Sequence, residues 1–259
     1  MSADNRDLVV DPAAAEYWID RWDSQQEGFI PDREERFAVL GDAVAAALDG
    51  TDAPVLVDLG CGPGSLTARL AQRLPGAVFI GVDADPLLLA LARTRYGGTA
   101  TWIQADLADP EWITVLPGTI HAAVSSTALH WMDRDSLAAL YTALAARTAP
   151  GGVFANADHM PLPHRLTALS TAVHNGRARR AVVAGREGWA AWWEAALSDP
   201  RLSPASAGRP RPSADASAHH HGTNALTAAD HTRLLHTAGY ASAAPLWQTA
   251  DDHIIAAIR

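Results

Sequence analysis

Short apolar runs alternate with longer segments of helical periodicity through the middle of the chain. The helical pattern predicts helices at 65–74, 85–96 and 134–148, with a short helical piece near 110–116. Between them, runs rich in apolar and β-branched residues predict strands at 55–59, 77–83, 100–106, 120–126 and 152–158. Runs bounded by Gly, Pro and Asp are typical of strands buried on both faces of a parallel sheet. The alternation therefore predicts right-handed βαβ units and a doubly wound α/β fold.

The segments that flank this region are also patterned. Residues 12–49 predict two helices, and 163–199 predict a further helical region. Residues 200–222 lack periodicity and are rich in Pro, Ser and Ala, which indicates a long loop. The closing segment predicts a helix at 226–240, followed by strands at 243–249 and 252–259.

Length and composition fit one core with a modest cap. The 259 residues are 48% apolar and 19% charged, which is ordinary for a globular protein. We expect three parts: N-terminal helices (1–50), a core (51–160 and 223–259) and a helical cap with its loop (161–222).

Charge and residue usage exclude several classes of function. The net charge of -9 argues against a nucleic-acid partner. No apolar run reaches the roughly 18 residues of a membrane span, and the N-terminus lacks a signal pattern, so we expect a cytoplasmic protein with no membrane partner. The chain contains no lysine, which excludes a P-loop lysine and a Schiff-base cofactor. A single cysteine excludes an internal disulfide.

A glycine-rich turn follows the first predicted strand. In VLVDLGCGPGSLT (55–67), Gly60, Gly62 and Gly64 allow the backbone to turn tightly and to approach a ligand closely. The helix that follows presents unpaired N–H groups at its start. Ligands bind at the carboxyl ends of the strands in such folds. The turn is therefore a candidate binding loop.

Acidic residues lie at the ends of three successive predicted strands. These residues are Asp58, Asp83 and Asp106. Asp83 follows Gly60 at the distance where a carboxylate accepts hydrogen bonds from ribose hydroxyls. A dinucleotide fingerprint needs a third glycine at the position of Ser65, so the G-x-G-x-G spacing disfavours an NAD-dependent oxidoreductase.

The segment 55–67 resembles motif I of the class I S-adenosylmethionine (SAM)-dependent methyltransferases. Segments resembling their later motifs follow in family order, at 81–89, 104–109, 125–132 and 148–154. The resemblance implies a Rossmann-like, doubly wound seven-stranded sheet with an antiparallel last strand, N-terminal helices and a helical cap insertion. It implies SAM as cofactor and a small-molecule methyl acceptor. The chain looks most like the trans-aconitate and natural-product types, as a monomer or a homodimer.

The resemblance also implies roles for single residues around SAM. Gly60, Gly62 and Gly64 shape the loop beside the methionyl part, with Cys61 as a small packing residue. Asp58 lies close to the methionyl amino group.

The remaining implied roles concern the nucleoside and the methionyl ammonium. Asp83 holds the ribose hydroxyls, and Ala84 lies against the adenine. Asp106 accepts from the adenine amino group, and Leu107 donates a backbone N–H. Either Ser125 or Ser126 offers a backbone carbonyl to the ammonium.

Candidates for the acceptor side follow the fourth and fifth predicted strands. The resemblance puts His130 and Trp131 beside the transferred methyl group, where His130 is suited to act as a general base and Trp131 to form the pocket wall. The alternative is that this His-Trp pair only packs over SAM. Asp158 and His159 are expected to face the same pocket, or else to serve as a turn cap and an exposed histidine.

Two further clusters leave alternatives open. Trp189, Trp192 and Trp193 give a lid helix an apolar face, or they line an aromatic acceptor pocket. The histidines at 219–221 cannot all face one ion from an extended segment, so no metal site is expected there. We expect a loop at that point, with closure over the substrate as the alternative. A SAM-binding relative with altered chemistry remains the other reading of the chain as a whole.

Overall fold

A seven-stranded sheet forms the centre of the computed structural model, which describes residues 8–206 and 224–259. The strand order is β3-β2-β1-β4-β5-β7-β6, with β1 to β5 parallel and β7 antiparallel to both of its neighbours. The strands are β1 Val55–Leu59, β2 Val78–Asp83, β3 Thr101–Gln104, β4 Ile120–Ser126, β5 Thr148–His159, β6 Ser242–Thr249 and β7 Asp252–Ile258. The predicted doubly wound sheet with an antiparallel last strand is confirmed.

Helices cover both faces of this sheet. They are α1 Pro12–Phe29, α2 Arg33–Ala47, α3 Ser65–Arg73, α4 Pro86–Tyr96, α5 Arg134–Arg147, α6 Thr167–Arg180, α7 Trp189–Ser198, α8 Ser203–Ser206 and α9 Ala228–Ala238. Asp85 caps α4 by accepting from the N–H groups of Leu87 and Leu88, and Gly239 ends α9 in the left-handed conformation. None of the helices in the described segments combines the length and apolar content that a bilayer crossing requires.

Three details of the predicted elements are wrong. Strand β3 ends at Gln104, so Asp106 lies in the turn after the strand rather than at its end. Strand β5 already begins at Thr148, in the sequence assigned to the end of a helix. The predicted loop at 200–222 begins with a 3-10 turn and α8, while 207–223 lie outside the described residues.

Three large apolar clusters, beside a smaller fourth one, hold the layers together. One face of the sheet packs against α5 and α9 through Tyr141 and Leu235, and the other packs against α2 and α3 through Leu40 and Leu70. A third cluster joins α1, α4 and α7, with Trp192 at its centre. The cap helix α7 is thereby attached to the sheet by way of α4. The three-part division of the chain stays a prediction.

A buried arginine ties the N-terminal helices to the carboxyl ends of the strands. Arg36, fully buried on α2, pairs with Asp252 at 2.8 Å and donates to the Ser126 hydroxyl and to the Ala157 carbonyl. Losing one member of such a buried pair costs about 3–5 kcal/mol, because the other charge is left without compensation. The pair therefore holds α2 over the strand ends, which is where the candidate site lies.

Candidate functional site

A cavity of about 260 Å³ opens at the carboxyl ends of β1, β2 and β4. The turn after β1 forms its floor, and the turn after β4 forms one wall. Helices α1 and α2 close it on one side, and α7 closes it on another. Ligands of doubly wound sheets bind at this edge, where the strand order reverses.

The turn after β1 can be built only with glycine at its first position. Gly60 has a φ of +68°, and a Cβ there would lie 2.3 Å from the Cβ of Ala128. The N–H groups of Gly60 and Cys61 both donate to the carbonyl of Val82, at 2.8 and 3.0 Å. Any larger residue at position 60 would push the turns after β1 and β4 apart, so the close approach defines this part of the cavity.

Asp83 joins two turns at the floor of the cavity. Its Oδ2 accepts from the N–H of Gly62, and its Oδ1 accepts from the N–H of Asp85, both at 2.8 Å. The carboxylate thus fixes the glycine turn relative to the end of β2. Its position at the cavity wall also makes it available to ligand hydroxyl groups.

Asp58 is a buried acid in the same wall. It accepts a hydrogen bond of 2.6 Å from the hydroxyl of Thr67. Burial raises the pKa of Asp58 to about 7, against the opposing effect of the Thr67 hydrogen bond and with help from the charge of Asp83. A ligand cation beside Asp58 would favour its ionised form.

His130 lines the cavity and is hydrogen-bonded to Asp158, which is buried and lies outside the lining. Nδ1 of His130 lies 2.8 Å from Oδ1 of Asp158. The backbone N–H groups of His130 and His159 also donate to this carboxylate, at 3.3 and 2.9 Å. Burial by itself raises the pKa of Asp158, but the charge and hydrogen bond of His130, with help from Arg36 and His159, hold it below its usual value. A carboxylate at Nδ1 orients the imidazole ring and stabilises its protonated form.

Aromatic rings line the rest of the cavity near His130. Trp131 lies beside the His130 ring, with 5.0 Å between the ring centroids, and 6.3 Å from the ring of Trp189 at the start of α7. Trp22 from α1 lies instead over the glycine turn, 3.8 Å from where a Cβ of Gly62 would be. The aromatic wall therefore has one part over the turn and another beside the histidine.

Comparisons with known proteins agree with this geometry. Residues 56–152 match the sequence model of a family described as "Methyltransferase domain". The chain is 36% identical over 135 residues to the trans-aconitate 2-methyltransferase of Azoarcus sp., a match that covers 52% of this chain and 49% of that protein. It is 37% identical over 150 residues to the protein of the same name from Methylobacterium nodulans, covering 56% of this chain and 54% of that one. The chain is thus similar to the class I SAM-dependent methyltransferases.

The match to these curated relatives spans about half of their length. A solved structure of a TehB-like SAM-dependent methyltransferase from Corynebacterium glutamicum shares the fold, with a TM-score of 0.52 and 15% identity. That likeness covers 96% of this chain and 100% of that one.

The cofactor of the class I SAM-dependent methyltransferases is SAM, and the cavity has the chemistry to receive it. The turn at Gly60 has no room for a Cβ atom, and the acids Asp58 and Asp83 line the same cavity. SAM carries a sulfonium and an ammonium group together with ribose hydroxyls, and carboxylates can pair with each of these.

Most of the residues predicted from the sequence line this cavity. Those that do are Asp58, Gly60, Cys61, Gly62, Asp83, Ser126, His130, Trp131 and His159. Cys61 is buried, and burial raises the pKa of its thiol well above the usual value, as do the charges of Asp83 and Asp58. This favours packing over nucleophilic chemistry.

Five predicted cofactor-binding residues lie outside the lining of the cavity, as does Asp158, which was expected to face it. Gly64 packs against Trp102 at a φ of +88°, and the hydroxyl of Ser125 donates to the carbonyl of Leu59. Ala84 and Asp106 are exposed, Leu107 is half-buried, and Asp106 accepts from the N–H of Ala108 at 2.9 Å. Asp106 thus serves a turn, and its role toward adenine, like those of Ala84 and Leu107, stays a prediction.

The sequence did not predict the contact between His130 and Asp158, although both residues were candidates. The available signal was their position after adjacent strands, β4 and β5, of a parallel sheet. Nor did it predict the salt bridge of 2.9 Å between Asp23 and Arg33, although the resemblance implied that the helix carrying Arg33 folds over the cofactor. Trp189 and Trp193 line the cavity, whereas Trp192 is buried in the cap. The histidines at 219–221 lie outside the described residues.

Proposed function

We propose that this protein transfers the methyl group of SAM to a nucleophilic atom of a small molecule, with His130 as the general base. One observation carries the proposal: a single cavity is lined by the Gly60 turn, by the acids Asp58 and Asp83, and by His130, which is hydrogen-bonded to the buried Asp158. The turn and the two acids suit a cationic nucleoside, and the pair suits removal of a proton.

The binding roles follow from the charges along the wall. Asp83 accepts from the ribose hydroxyls, and Asp58 lies beside the methionyl ammonium. The backbone carbonyl of Ser126 at the end of β4 serves the same ammonium. Arg33, the one arginine of the described residues that lines this cavity, binds the methionyl carboxylate. Asp23 and the hydroxyl of Ser65, 2.5 Å apart, keep the guanidinium of Arg33 close to the start of α3.

The cofactor supplies an electrophilic methyl group that is activated by its own sulfonium charge. The protein therefore has to align the acceptor, exclude water and remove a proton. Asp158 holds His130 by Nδ1, so Nε2 is the atom that accepts the proton. Trp131 and Trp189 exclude water beside the reacting atom. His159, with Nδ1 at 3.4 Å from Asp251, is a second and weaker candidate for proton transfer.

The names of the relatives suggest one acceptor, trans-aconitate, a carboxylic acid. Natural-product phenols and amines are the alternatives that the resemblance allowed. The NAD-dependent reading is disfavoured by β7, which runs antiparallel between β5 and β6, whereas dinucleotide-binding sheets of this order are mostly parallel.

The proposal is tested by calorimetry with SAM and with NAD, followed by turnover assays with labelled SAM. The acceptor panel contains phenols, amines and carboxylic acids, and the products are S-adenosylhomocysteine and a methylated acceptor. We expect SAM to bind, NAD not to bind, and label to enter at least one acceptor class. Binding of NAD in place of SAM would contradict the proposal, and SAM binding without transfer to any class would favour the relative with altered chemistry.

A further inference from the structure

We propose that the methyl acceptor is an uncharged planar aromatic molecule with a phenol-type hydroxyl group, which packs against Trp131 and Trp189. This inference rests on the proposed function, because it names the acceptor class of the same cavity. It departs from the tricarboxylate that the names of the relatives suggest. Two observations carry it, the charge balance of the wall and the aromatic surface beside His130.

Every arginine and histidine that lines the cavity, within residues 8–206 and 224–259, already has a carboxylate partner. Arg33 pairs with Asp23 at 2.9 Å and is the proposed partner of the methionyl carboxylate, so it is not left over for an acceptor. His130 lies 2.8 Å from Asp158, and His159 lies 3.4 Å from Asp251. The same wall also carries the acids Asp58, Asp83 and Asp85.

This balance disfavours a polyanionic acceptor. Bringing a carboxylate out of water is costly unless a cation pairs with it. The sulfonium group supplies one positive charge beside the acceptor, so two of the three charges of a tricarboxylate would remain without a partner in the described wall. A neutral phenol avoids this cost. The phenolate that forms as the proton leaves carries a single charge, which the sulfonium matches.

The surface beside His130 is aromatic and partly open. Trp131 retains 43% of its surface exposed, a large value for an indole at a cavity wall. Its ring lies 6.3 Å from that of Trp189, with 35° between the two planes, so two indole rings are neighbours near the histidine. Planar rings gain from offset stacking on such surfaces beyond simple burial. An acceptor ring on Trp131 would put its substituents within reach of His130.

The methyl transfer needs only SAM, the acceptor hydroxyl and His130. The oxygen of the phenolic hydroxyl forms a bond to the methyl carbon, and the bond from that carbon to sulfur breaks, with its electrons left on sulfur. The hydroxyl proton moves to Nε2 of His130. The products are a methyl ether, S-adenosylhomocysteine and a protonated His130 that is stabilised by Asp158.

The experiment measures binding of 2-naphthol and of trans-aconitate to the complex with S-adenosylhomocysteine by calorimetry, and their methylation with SAM. We expect 2-naphthol to bind and to be methylated, and trans-aconitate to do neither. Trp131→Ala should raise the Kd of 2-naphthol about tenfold, while Trp131→Phe should retain most of the affinity. Trp247→Ala, on the distant strand β6, is the matched control and should leave the Kd unchanged.

The outcomes separate the two proposals. If the complex with S-adenosylhomocysteine does not form, the proposed function fails. If it forms but the protein supplied with SAM methylates trans-aconitate in preference to 2-naphthol, the proposed function stands and the aromatic acceptor is refuted. The same holds if 2-naphthol fails to bind, or binds equally well to the Trp131→Ala variant.

Discussion

On the side of the glycine turn the cavity wall is held by backbone, and on the side of His130 it is held by side chains. The carbonyl of Val82 accepts from two N–H groups of the turn, and the carboxylate of Asp83 accepts from a third, that of Gly62, and from the N–H of Asp85. The His130 wall depends instead on one carboxylate, Asp158, and on indole rings from separate segments of the chain. We call these the cofactor side and the acceptor side.

This difference determines which substitutions each side of the cavity can tolerate. Backbone hydrogen bonds and a glycine at a steric limit leave little freedom for the cofactor side, because any Cβ at Gly60 collides with Ala128. The acceptor side can exchange side chains on α7 or on the turn after β4 without disturbing a strand. One cavity thereby separates the binding of the cofactor, which stays the same, from the binding of the acceptor, which can change.

The largest expected effect is a loss of turnover caused by a change on the acceptor side alone. Asp158→Asn keeps the shape of the side chain but removes the charge that orients and stabilises His130. We expect turnover to fall about 10³-fold with the Kd of SAM unchanged, because such a partner acts on the base and not on the cofactor. The measurement is kcat with the best acceptor of the panel, over a range of pH, beside calorimetry with SAM.

A matched variant makes this result specific. Asp251→Asn changes the carboxylate that pairs with His159 and should lower turnover only a few-fold. If Asp251→Asn proved the more damaging change, His159 rather than His130 would be the base.

The complementary change is on the cofactor side and should weaken the binding of SAM. Asp83→Ala removes the acceptor for Gly62 and Asp85 and the proposed partner of the ribose hydroxyls. The expected result is an increase of about 100-fold or more in the Kd of SAM, since each hydrogen bond to a charged group is worth about 1.5–3 kcal/mol. Calorimetry gives the Kd. Asp52→Ala, the same exchange at an exposed position before β1, is the control, and equal losses in both variants would count against the site.

The two sides also differ in how far the sequence predicted them. The strands, their order of appearance, and the turn at Gly60 were predictable because buried strands and glycine turns have local patterns. The placement of Asp106 was wrong because β3 ends early and the side chain caps its own turn. Contacts between distant segments, such as Trp131 with Trp189, depend on how the cap packs onto α4, and no local pattern encodes that packing.

A pH titration of SAM binding tests the proposed role of Asp58 on the cofactor side. Because the pKa of Asp58 is about 7 in the unliganded protein, its ionised fraction is about 10% at pH 6 and about 90% at pH 8. If the ionised form binds the methionyl ammonium, the affinity for SAM should rise about tenfold over that range. Calorimetry at both pH values measures this rise, and Asp58→Asn should remove it. A pH-independent affinity in the unaltered protein would refute the contact.

The raised pKa of Asp58 also affects the stability of the folded protein, which should fall with rising pH whereas the affinity for SAM rises. The folded protein retains a proton on Asp58 that the unfolded chain loses above its ordinary pKa of 3.8. The unliganded protein should therefore lose stability from this group as the pH rises from about 4 to about 7. Urea unfolding of the unaltered protein and of Asp58→Asn at pH 5 and pH 7 measures the difference, and no difference between the two proteins would mean that burial does not shift this group.

The smallest expected effect concerns Cys61, which lies on the cofactor side inside the glycine turn. Its Sγ is 3.7 Å from the carbonyl of Gly62, and a hydroxyl can occupy the same position. Cys61→Ser should therefore change the Kd of SAM and the turnover by no more than about threefold, because the raised thiol pKa leaves little thiolate for chemistry. Kinetics with the best acceptor and the rate of thiol modification in the unaltered protein are the measurements. A loss of turnover as large as that of Asp158→Asn would make Cys61 a reacting group, and the division into a passive cofactor side and a reactive acceptor side would fall with it.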